Sequence, residues 1–229
     1  MSHRNLQLLT DAAELLRPLL GELVFVGGCT TALLVTDRAA AEVRPTYDVD
    51  AIAEITSYSG YVDFSERLRK LGFTEDTSQG APLCRWQNSK TKLDVMPLDS
   101  KILGFSNRWY KPAMRFAEFR ELKPDLTVRA VTAPYFCAAK LEAFNGRGKG
   151  DYLSSHDLED LVAIVDGREE LTGELRSASE DVRSYVASEF RRLLDNKTFV
   201  DALPGYLLPD AANQARITIL LRRLKEMAL

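Results

Sequence analysis

The feature that most constrains the fold is that every strand-like segment lies before Thr132. Short apolar or alternating runs bounded by turn residues predict strands at "LVFVGG" from Leu23, over 47–55, and at "PLCRWQN", "KLDVMPL" and "LTVRAVT". From Ala133 onward the pattern instead predicts helices over 133–146, 155–166, 169–195 and 210–228. We therefore expect an α+β protein with a mixed α/β domain over 1–132 and a helical domain over 133–229.

The N-terminal half also contains helical patterns between its strands. Leucines at helical spacing predict a helix over 6–20 that Pro18 bends or ends, and "CTTALLV" and "YVDFSERLRKLGF" predict two more helices. The segments "PLCRWQN" and "KLDVMPL" are expected to pair as neighbouring strands.

Charge and composition restrict the class of protein. A net charge of −3 and a pI of about 5.6 argue against a protein that coats nucleic acid by charge alone. No apolar run approaches the roughly 20 residues of a membrane span, and the N-terminus lacks a signal-peptide core, so we expect a cytoplasmic protein without membrane partners. Cys29, Cys84 and Cys137 are expected to be buried free thiols, and the only histidines, His3 and His156, argue against a histidine-based metal site.

Basic and aromatic residues alternate over 107–129. Such a run forms either a solvated face or a contact surface for nucleic acid, and the sequence leaves both readings open. The run contains Arg108, Lys111, Arg115, Arg120, Lys123 and Arg129, interleaved with Trp109, Tyr110, Phe116 and Phe119.

Three aspartates are the candidate chemical groups. In "VRPTYDVDAIAE", Asp48 and Asp50 are two positions apart, so on a strand their carboxylates share one face about 6 to 7 Å apart. They indicate either a solvated strand edge or a divalent metal site, since Mg²⁺ prefers carboxylate oxygens. Asp94 lies between Leu93 and Val95, and an acid within an apolar strand is costly unless it is paired or metal-bound. If the two strands are neighbours, the three carboxylates converge in the geometry of metal-assisted phosphoryl transfer.

Gly27 and Gly28 lie where the first strand meets a helix. Backbone N–H groups and the helix dipole at such a turn can hold phosphate, although turn geometry alone also explains two glycines. The chain has no G-x-x-x-x-G-K-[ST] or G-x-G-x-x-G pattern, so neither a P-loop nor a dinucleotide-binding fold is supported.

The order of these motifs resembles the nucleotidyltransferase superfamily built on the DNA polymerase β palm. The two glycines are followed by R-x-T-x-D-x-D, from Arg44 to Asp50, and then by the lone strand aspartate Asp94. More narrowly, the chain resembles the AbiEii/AbiGii-type toxin nucleotidyltransferases. This narrower likeness continues through "AAKLEAFNGRGKGDYLSSHDLEDL" and rests there on Lys140, Arg147, Ser155, Asp157 and Asp160.

The resemblance implies a polymerase-β-like nucleotidyltransferase domain with a mixed sheet, followed by a C-terminal helical domain. It further implies an enzyme that uses Mg²⁺, as two ions, to move a nucleoside monophosphate from an NTP such as ATP to an RNA acceptor, the 3′ end of tRNA. The enzyme would be the toxin of a toxin-antitoxin system, with a cognate antitoxin protein as partner.

The resemblance also implies roles for individual residues. Asp48, Asp50 and Asp94 would hold the metals, and Asp94 would also act on the acceptor hydroxyl. Superfamily members often have Ser after the first glycine where this chain has Gly28, so a phosphate-binding hydroxyl would come from Thr30 or Thr31. The expected nucleotide-binding residues are Gly27, Gly28, Thr30, Thr31, Arg44, Lys140 and Asp157.

Several alternatives stay open. The same palm serves antibiotic-modifying nucleotidyltransferases, and an inactive scaffold could retain the fold, although all three acids are present. Lys140 could be an ordinary helix lysine, and Ser154 and Asp157 have the spacing of a helix capping box. Arg44 and Thr46 could equally be a loop and a cap for the following strand.

Overall fold

A computed structural model describes residues 4–229 and divides them into two compact units. The first unit comprises residues 4–32 and 45–132, and the second comprises residues 33–44 and 133–229. The segment 33–44, which the sequence patterns placed in the α/β half, therefore groups with the helices. His3 lies outside the described residues.

The first unit is built on a seven-stranded mixed sheet. Its strands are β1 (Leu23–Val26), β2 (Val49–Ala53), β3 (Thr74–Glu75), β4 (Arg85–Gln87), β5 (Lys92–Pro97), β6 (Glu118–Lys123) and β7 (Leu126–Ala130). They lie in the order β3-β4-β5-β2-β1-β7-β6, with β2/β5 and β1/β7 parallel and the other pairs antiparallel. The mixed sheet and the pairing of β4 with β5 are confirmed. The strands β3 and β6 were not predicted, since both are largely exposed and lack an apolar face.

The helices of this unit are α1 (Arg4–Leu15), α3 (Tyr58–Lys70), α4 (Ser100–Leu103) and α5 (Tyr110–Arg115), and α2 (Thr31–Leu34) begins in it and ends within the segment 33–44. The helix predicted over 6–20 is shorter: it ends at Leu15, and Pro18 lies in the separate 3-10 helix Arg17–Glu22. A proline is tolerated in the first turn of a helix, where no N–H is needed for the helical ladder. The core lies in the middle of the sheet, where Phe25, Ile52 and Val95 are buried.

The second unit is helical, with α6 (Ala133–Arg147), α7 (His156–Gly167), α8 (Leu171–Ser177), α9 (Glu180–Leu194), α10 (Lys197–Ala202), α11 (Ala211–Ala215) and α12 (Ile217–Met227). In this unit α6 packs against α7 and α9, and α12 packs against α7 and α9. The helix predicted over 169–195 is in fact two, because Ala178 has an extended backbone and Ser179 is the N-cap of a new helix with Glu180 and Asp181 in its first turn. The helix predicted over 210–228 is likewise divided, at Arg216.

Two further expectations can be compared with the structure. Cys29, Cys84 and Cys137 are all buried and free, as predicted. Within residues 4–229, none of the helices combines the length and the apolar character needed to cross a membrane.

Candidate active site

Register across the sheet brings the predicted acids together in the first unit. Asp50 of β2 is the direct partner of Asp94 on the parallel strand β5. Arg85 of β4 is the partner of Asp94 on its other side, and Val26 of β1 is the partner of Asp50. Because in-register neighbours project from the same face of a sheet, these four residues form one row. Asp48 precedes Asp50 by two positions and contacts the same row through Arg85.

The guanidinium of Arg85 lies among these carboxylates. Its Nε donates to Oδ1 of Asp94 at 2.7 Å, and its Nη2 donates to Oδ2 of Asp94 at 2.7 Å and to Oδ2 of Asp48 at 2.7 Å. The pKa of Arg85 is raised above its ordinary value, first by the hydrogen bonds with Asp94 and then by the charges of Asp94, Asp48 and Asp50. The arginine therefore stays charged, and it neutralises part of the acid row. The sequence motifs did not predict a role for this residue.

The glycine turn explains how Asp50 is accommodated. Gly27 has a φ of +70°, and a Cβ at this position would lie 1.9 Å from Oδ2 of Asp50. Any other residue would therefore displace the Asp50 carboxylate and would also adopt an unfavourable left-handed conformation. The position of the Asp50 carboxylate therefore depends on the absence of a side chain at Gly27.

Asn5, on α1, ties this turn to Asp48. Its Nδ2 donates to the carbonyl oxygen of Gly28 at 3.3 Å, and its Oδ1 accepts from the backbone N–H of Thr46 at 3.0 Å. The hydroxyl of Thr46 in turn donates to Oδ1 of Asp48 at 2.8 Å. Thr46 thus orients Asp48, and Asn5 holds Thr46. No role for Asn5 was predicted from the sequence. The available signal was an asparagine three and four residues before Leu8 and Leu9, just ahead of the helix predicted over 6–20 and in line with its apolar side, where an amide is buried only if it is hydrogen-bonded.

The two threonine hydroxyls after the turn differ in their partners. Thr30 donates through Oγ1 to the carbonyl oxygen of Gly27 at 2.8 Å. The hydroxyl of Thr31 is buried and finds no hydrogen-bond partner within residues 4–229. A buried hydroxyl without a partner costs about 1 to 3 kcal/mol. Of the two predicted phosphate ligands, Thr31 is therefore the one whose hydroxyl has no hydrogen-bond partner within the described residues.

Cys84, just before Arg85 on the chain, lies close enough to the row for its acids to affect the pKa of its thiol. Burial, followed by the charges of Asp94 and Asp50, raises the pKa of its thiol to about 12. The thiol is therefore protonated at neutral pH, and it is not a candidate nucleophile because the thiolate is the reactive form.

The carboxylates match Mg²⁺ in chemistry but not in their present arrangement. Hard cations prefer oxygen ligands, which Asp48, Asp50 and Asp94 supply. Yet no group of three or more His, Cys, Asp or Glu side chains within residues 4–229 is arranged to hold a metal ion. At this row, Arg85 donates hydrogen bonds to both oxygens of Asp94 and to one oxygen of Asp48.

The remaining predicted nucleotide ligands lie in the second unit, where they form an ion-pair cluster. Arg44 donates to both oxygens of Asp160 at 3.0 and 3.1 Å. The ammonium of Lys140 donates to Asp160 at 2.6 Å and to Asp157 at 3.2 Å, and Arg147 donates to both oxygens of Asp157 at 2.9 Å. These contacts join the segment 33–44 to α6 and α7.

Asp157 is an internal partner of this cluster rather than part of a capping box. Burial alone raises its pKa, but hydrogen bonds and charge from Arg147 and Lys140 outweigh this effect and lower the pKa overall. The N-cap of α7 is Ser155, whose hydroxyl accepts from the N–H of Leu158 at 3.4 Å, so the alternative that paired Ser154 with Asp157 is wrong.

Several cations of the basic run over 107–129 have partners within the first unit. Arg120 donates to Glu118 at 2.7 Å, Lys123 forms an ion pair with Glu14, and Arg129 donates to the carbonyl oxygen of Met114 at 2.8 Å. These contacts favour the solvated face over a nucleic-acid contact.

Comparison with known proteins supports the fold. No protein-family model matches the chain, and no curated protein sequence matches it. The chain is similar to the crystal structure of an antigenic nucleotidyltransferase-like protein from Paracoccidioides brasiliensis, with a TM-score of 0.50 and 17% sequence identity. The similarity covers 89% of this chain and 94% of that chain. The chain thus has a nucleotidyltransferase-like fold, and the narrower AbiEii/AbiGii assignment stays a prediction.

Proposed function

We propose that this chain is a nucleotidyltransferase whose reaction centre is the carboxylate row of the first unit. The observation that carries the proposal is the register of β2 and β5, which sets Asp50 beside Asp94 on one face of the sheet. Asp48 contacts the same row, and the Gly27 turn abuts Asp50. The nucleotidyltransferase-like fold of a protein similar over most of both chains supports the same reaction class.

In the proposed reaction, an acceptor hydroxyl attacks the α-phosphorus of an NTP. A bond forms between the acceptor oxygen and this phosphorus, the bond to the bridging oxygen of the β-phosphate breaks, and pyrophosphate leaves. Asp94 takes the hydroxyl proton, while the Gly27–Gly28 turn and the Thr31 hydroxyl bind phosphate oxygens. Mg²⁺ bound by Asp48, Asp50 and Asp94 would supply positive charge for the phosphates and lower the pKa of the hydroxyl.

The acceptor and the biological role rest on the resemblance described above. We propose an RNA acceptor, the 3′ end of tRNA, and a growth-inhibiting activity countered by an antitoxin protein. Nucleotide contacts by Arg44, Lys140 and Asp157 belong to the same proposal.

The proposal is tested by incubating the full chain with each α-³²P-labelled NTP in turn, together with Mg²⁺ and total tRNA. We expect one or more labelled NTPs to give labelled RNA that is longer by whole nucleotides. If a parallel incubation with a small-molecule antibiotic in place of tRNA labels that antibiotic instead, the protein acts as an antibiotic-modifying nucleotidyltransferase. No incorporation from any of the four NTPs would contradict an enzymatic role on these acceptors.

A second candidate function is a nucleotidyltransferase-like binding scaffold. The observation that favours it is Arg85, because a row of acids that is neutralised by the chain's own guanidinium needs no metal ion for its stability. A scaffold would bind no divalent cation at the row and would incorporate no label.

A further inference from the structure

We infer that Arg85 is a displaceable counter-ion that competes with divalent cations for the acid row, so that loading the site with metal requires its guanidinium to leave Asp94 and Asp48. This inference rests on the proposed function in taking the row as a metal site. It goes beyond that function by naming the residue that controls entry to the site.

Arg85 occupies several of the atoms through which the row would bind a metal ion. Its fork contacts both oxygens of Asp94 and one oxygen of Asp48, and a hydroxyl from Thr46 contacts the other oxygen of Asp48. Carboxylate oxygens that accept from a guanidinium cannot ligate Mg²⁺ with the same lone pairs, and the two cations would repel each other at contact distance. A divalent cation bound to Asp94 in this arrangement would lie against the guanidinium, so the two cations compete for these oxygens.

Arg85 can leave the row only by moving. Arginine is not deprotonated in proteins, so its charge persists at every physiological pH. Its side chain is 18% exposed, and its strand β4 has only three residues and is flanked by the two-residue strand β3. The long, flexible side chain can therefore swing toward solvent without disruption of the central strands β2 and β5.

Arg85 also has a role in the absence of metal. Asp94 is buried, and Asp48, Asp50 and Asp94 would repel one another if no cation lay among them. Arg85 removes this penalty and holds Asp94 by two hydrogen bonds, which also prevents Asp94 from accepting a proton from a substrate hydroxyl. Arg85 thus keeps the row both stable and inactive until a divalent cation replaces it.

The test is a Mn²⁺ titration of the full chain, with free Mn²⁺ followed by electron paramagnetic resonance. Wild type is compared with Arg85→Gln and with the control Arg67→Gln, which removes another arginine fork of the first unit, the one paired with Glu22. The apparent dissociation constant equals the intrinsic constant divided by the fraction of the protein that is competent to bind. We therefore expect Arg85→Gln to bind Mn²⁺ at least about tenfold more tightly than wild type, and Arg67→Gln to bind as wild type does.

A second readout is thermal unfolding with EDTA and with Mn²⁺. We expect Arg85→Gln to melt below wild type in EDTA and to regain more melting temperature than wild type when Mn²⁺ is added. If Arg85→Gln does not fold, Arg85→Lys serves in its place, because it keeps the charge but loses the two-pronged contact with Asp94. Its Mn²⁺ affinity should exceed that of wild type.

The inference and the proposed function fail in different ways. Equal or weaker Mn²⁺ binding by Arg85→Gln, or no Mn²⁺ binding by either protein at millimolar concentration, overturns the inference. If wild type transfers labelled nucleotide in spite of such a result, the proposed function stands alone. If Arg85→Gln binds Mn²⁺ more tightly and neither protein transfers nucleotide, the inference stands and the proposed function fails.

Discussion

Replacing Asp94 with asparagine perturbs the acid row with the smallest change in shape. The amide keeps one acceptor oxygen but loses the charge, and it places an NH₂ group against the guanidinium donors of Arg85. Asp94 is only 6% exposed, and both of its oxygens now accept from Arg85. A buried aspartate that merely filled a strand would tolerate this change well, because a neutral group is cheaper to bury than a charge.

The expected magnitude follows from the contacts of this pair. A hydrogen bond to a charged group contributes about 1.5 to 3 kcal/mol, and Arg85 retains Asp48 as a partner after the substitution. We therefore expect Asp94→Asn to lower the free energy of unfolding by about 2 kcal/mol, which corresponds to roughly 4 to 8 °C in melting temperature for a chain of this length.

The assay is thermal unfolding in EDTA, compared with Asp63→Asn, which alters an exposed aspartate of α3 in the same unit. Single-turnover transfer of labelled nucleotide is measured on the same proteins, and we expect Asp94→Asn to slow it by about 100-fold or more, the scale of general base catalysis. An unchanged melting temperature would show that the ion pair with Arg85 contributes nothing to stability. Near-normal transfer would remove Asp94 from the chemistry.

Three further predictions concern the glycine turn and the second unit. Gly27→Ala should displace the Asp50 carboxylate and abolish nucleotide transfer. The control is Gly80→Ala: Gly80 has a φ of +84° and open space around it, so this substitution should cost only backbone strain of about 1 to 2 kcal/mol. Equal effects of the two substitutions on transfer would contradict a role for the contact between Gly27 and Asp50. Lys140→Met should destabilise the protein by about 2 kcal/mol and weaken NTP binding roughly tenfold, and an unchanged NTP affinity would assign Lys140 to its internal ion pairs alone. The pKa of Asp157 is lowered on folding, so its contribution to the free energy of unfolding is full above the unfolded pKa of about 4 and is lost as pH falls through the lower folded value. Urea titrations from pH 6 to 2 should therefore show that the free energy of unfolding falls less steeply with pH for Asp157→Asn than for wild type.

The central strands were predictable because their patterns are strong. The fully buried β1 and the alternation around Asp50 indicate strands directly, and an aspartate inside the apolar run of β5 requires a partner. By contrast, β6 is an exposed edge strand whose residues match a solvated basic run as well as they match a strand. Burial, on which the patterns depend, gives no signal in such a segment.

The role of Arg85 was not predicted because it depends on the register between β4 and β5. That register follows from the connection over residues 88–91, where the N–H of Asn88 donates to the carbonyl oxygen of Thr91 and the Asn88 side chain accepts from the N–H groups of Lys90 and Thr91. With Gln87 paired to Lys92, Arg85 falls opposite Asp94. An arginine and an aspartate embedded in adjacent strand patterns suggest such a pair, but a register shifted by one residue would separate them.

The ion-pair cluster of the second unit was only partly predictable. The resemblance marked Lys140, Arg147, Asp157 and Asp160 by their order along the chain. Their mutual contacts, and the pairing of Arg44 with Asp160, arise from tertiary packing of the segment 33–44 with the helices. Sequence separation of more than 100 residues leaves no local pattern from which such a contact could be read.

The most direct test of the proposed reaction centre is nucleotide transfer by Asp50→Asn, measured beside Asp63→Asn with α-³²P-labelled NTP, Mg²⁺ and total tRNA. Asp50 contacts the glycine turn and pairs in register with Asp94, and the proposal assigns its carboxylate to the metal site. We expect Asp50→Asn to fold with unchanged or slightly higher stability, since one of several like charges is removed, and to transfer no detectable label, while Asp63→Asn transfers as wild type does. Transfer by Asp50→Asn within about tenfold of wild type would contradict the assignment of the carboxylate row as the reaction centre.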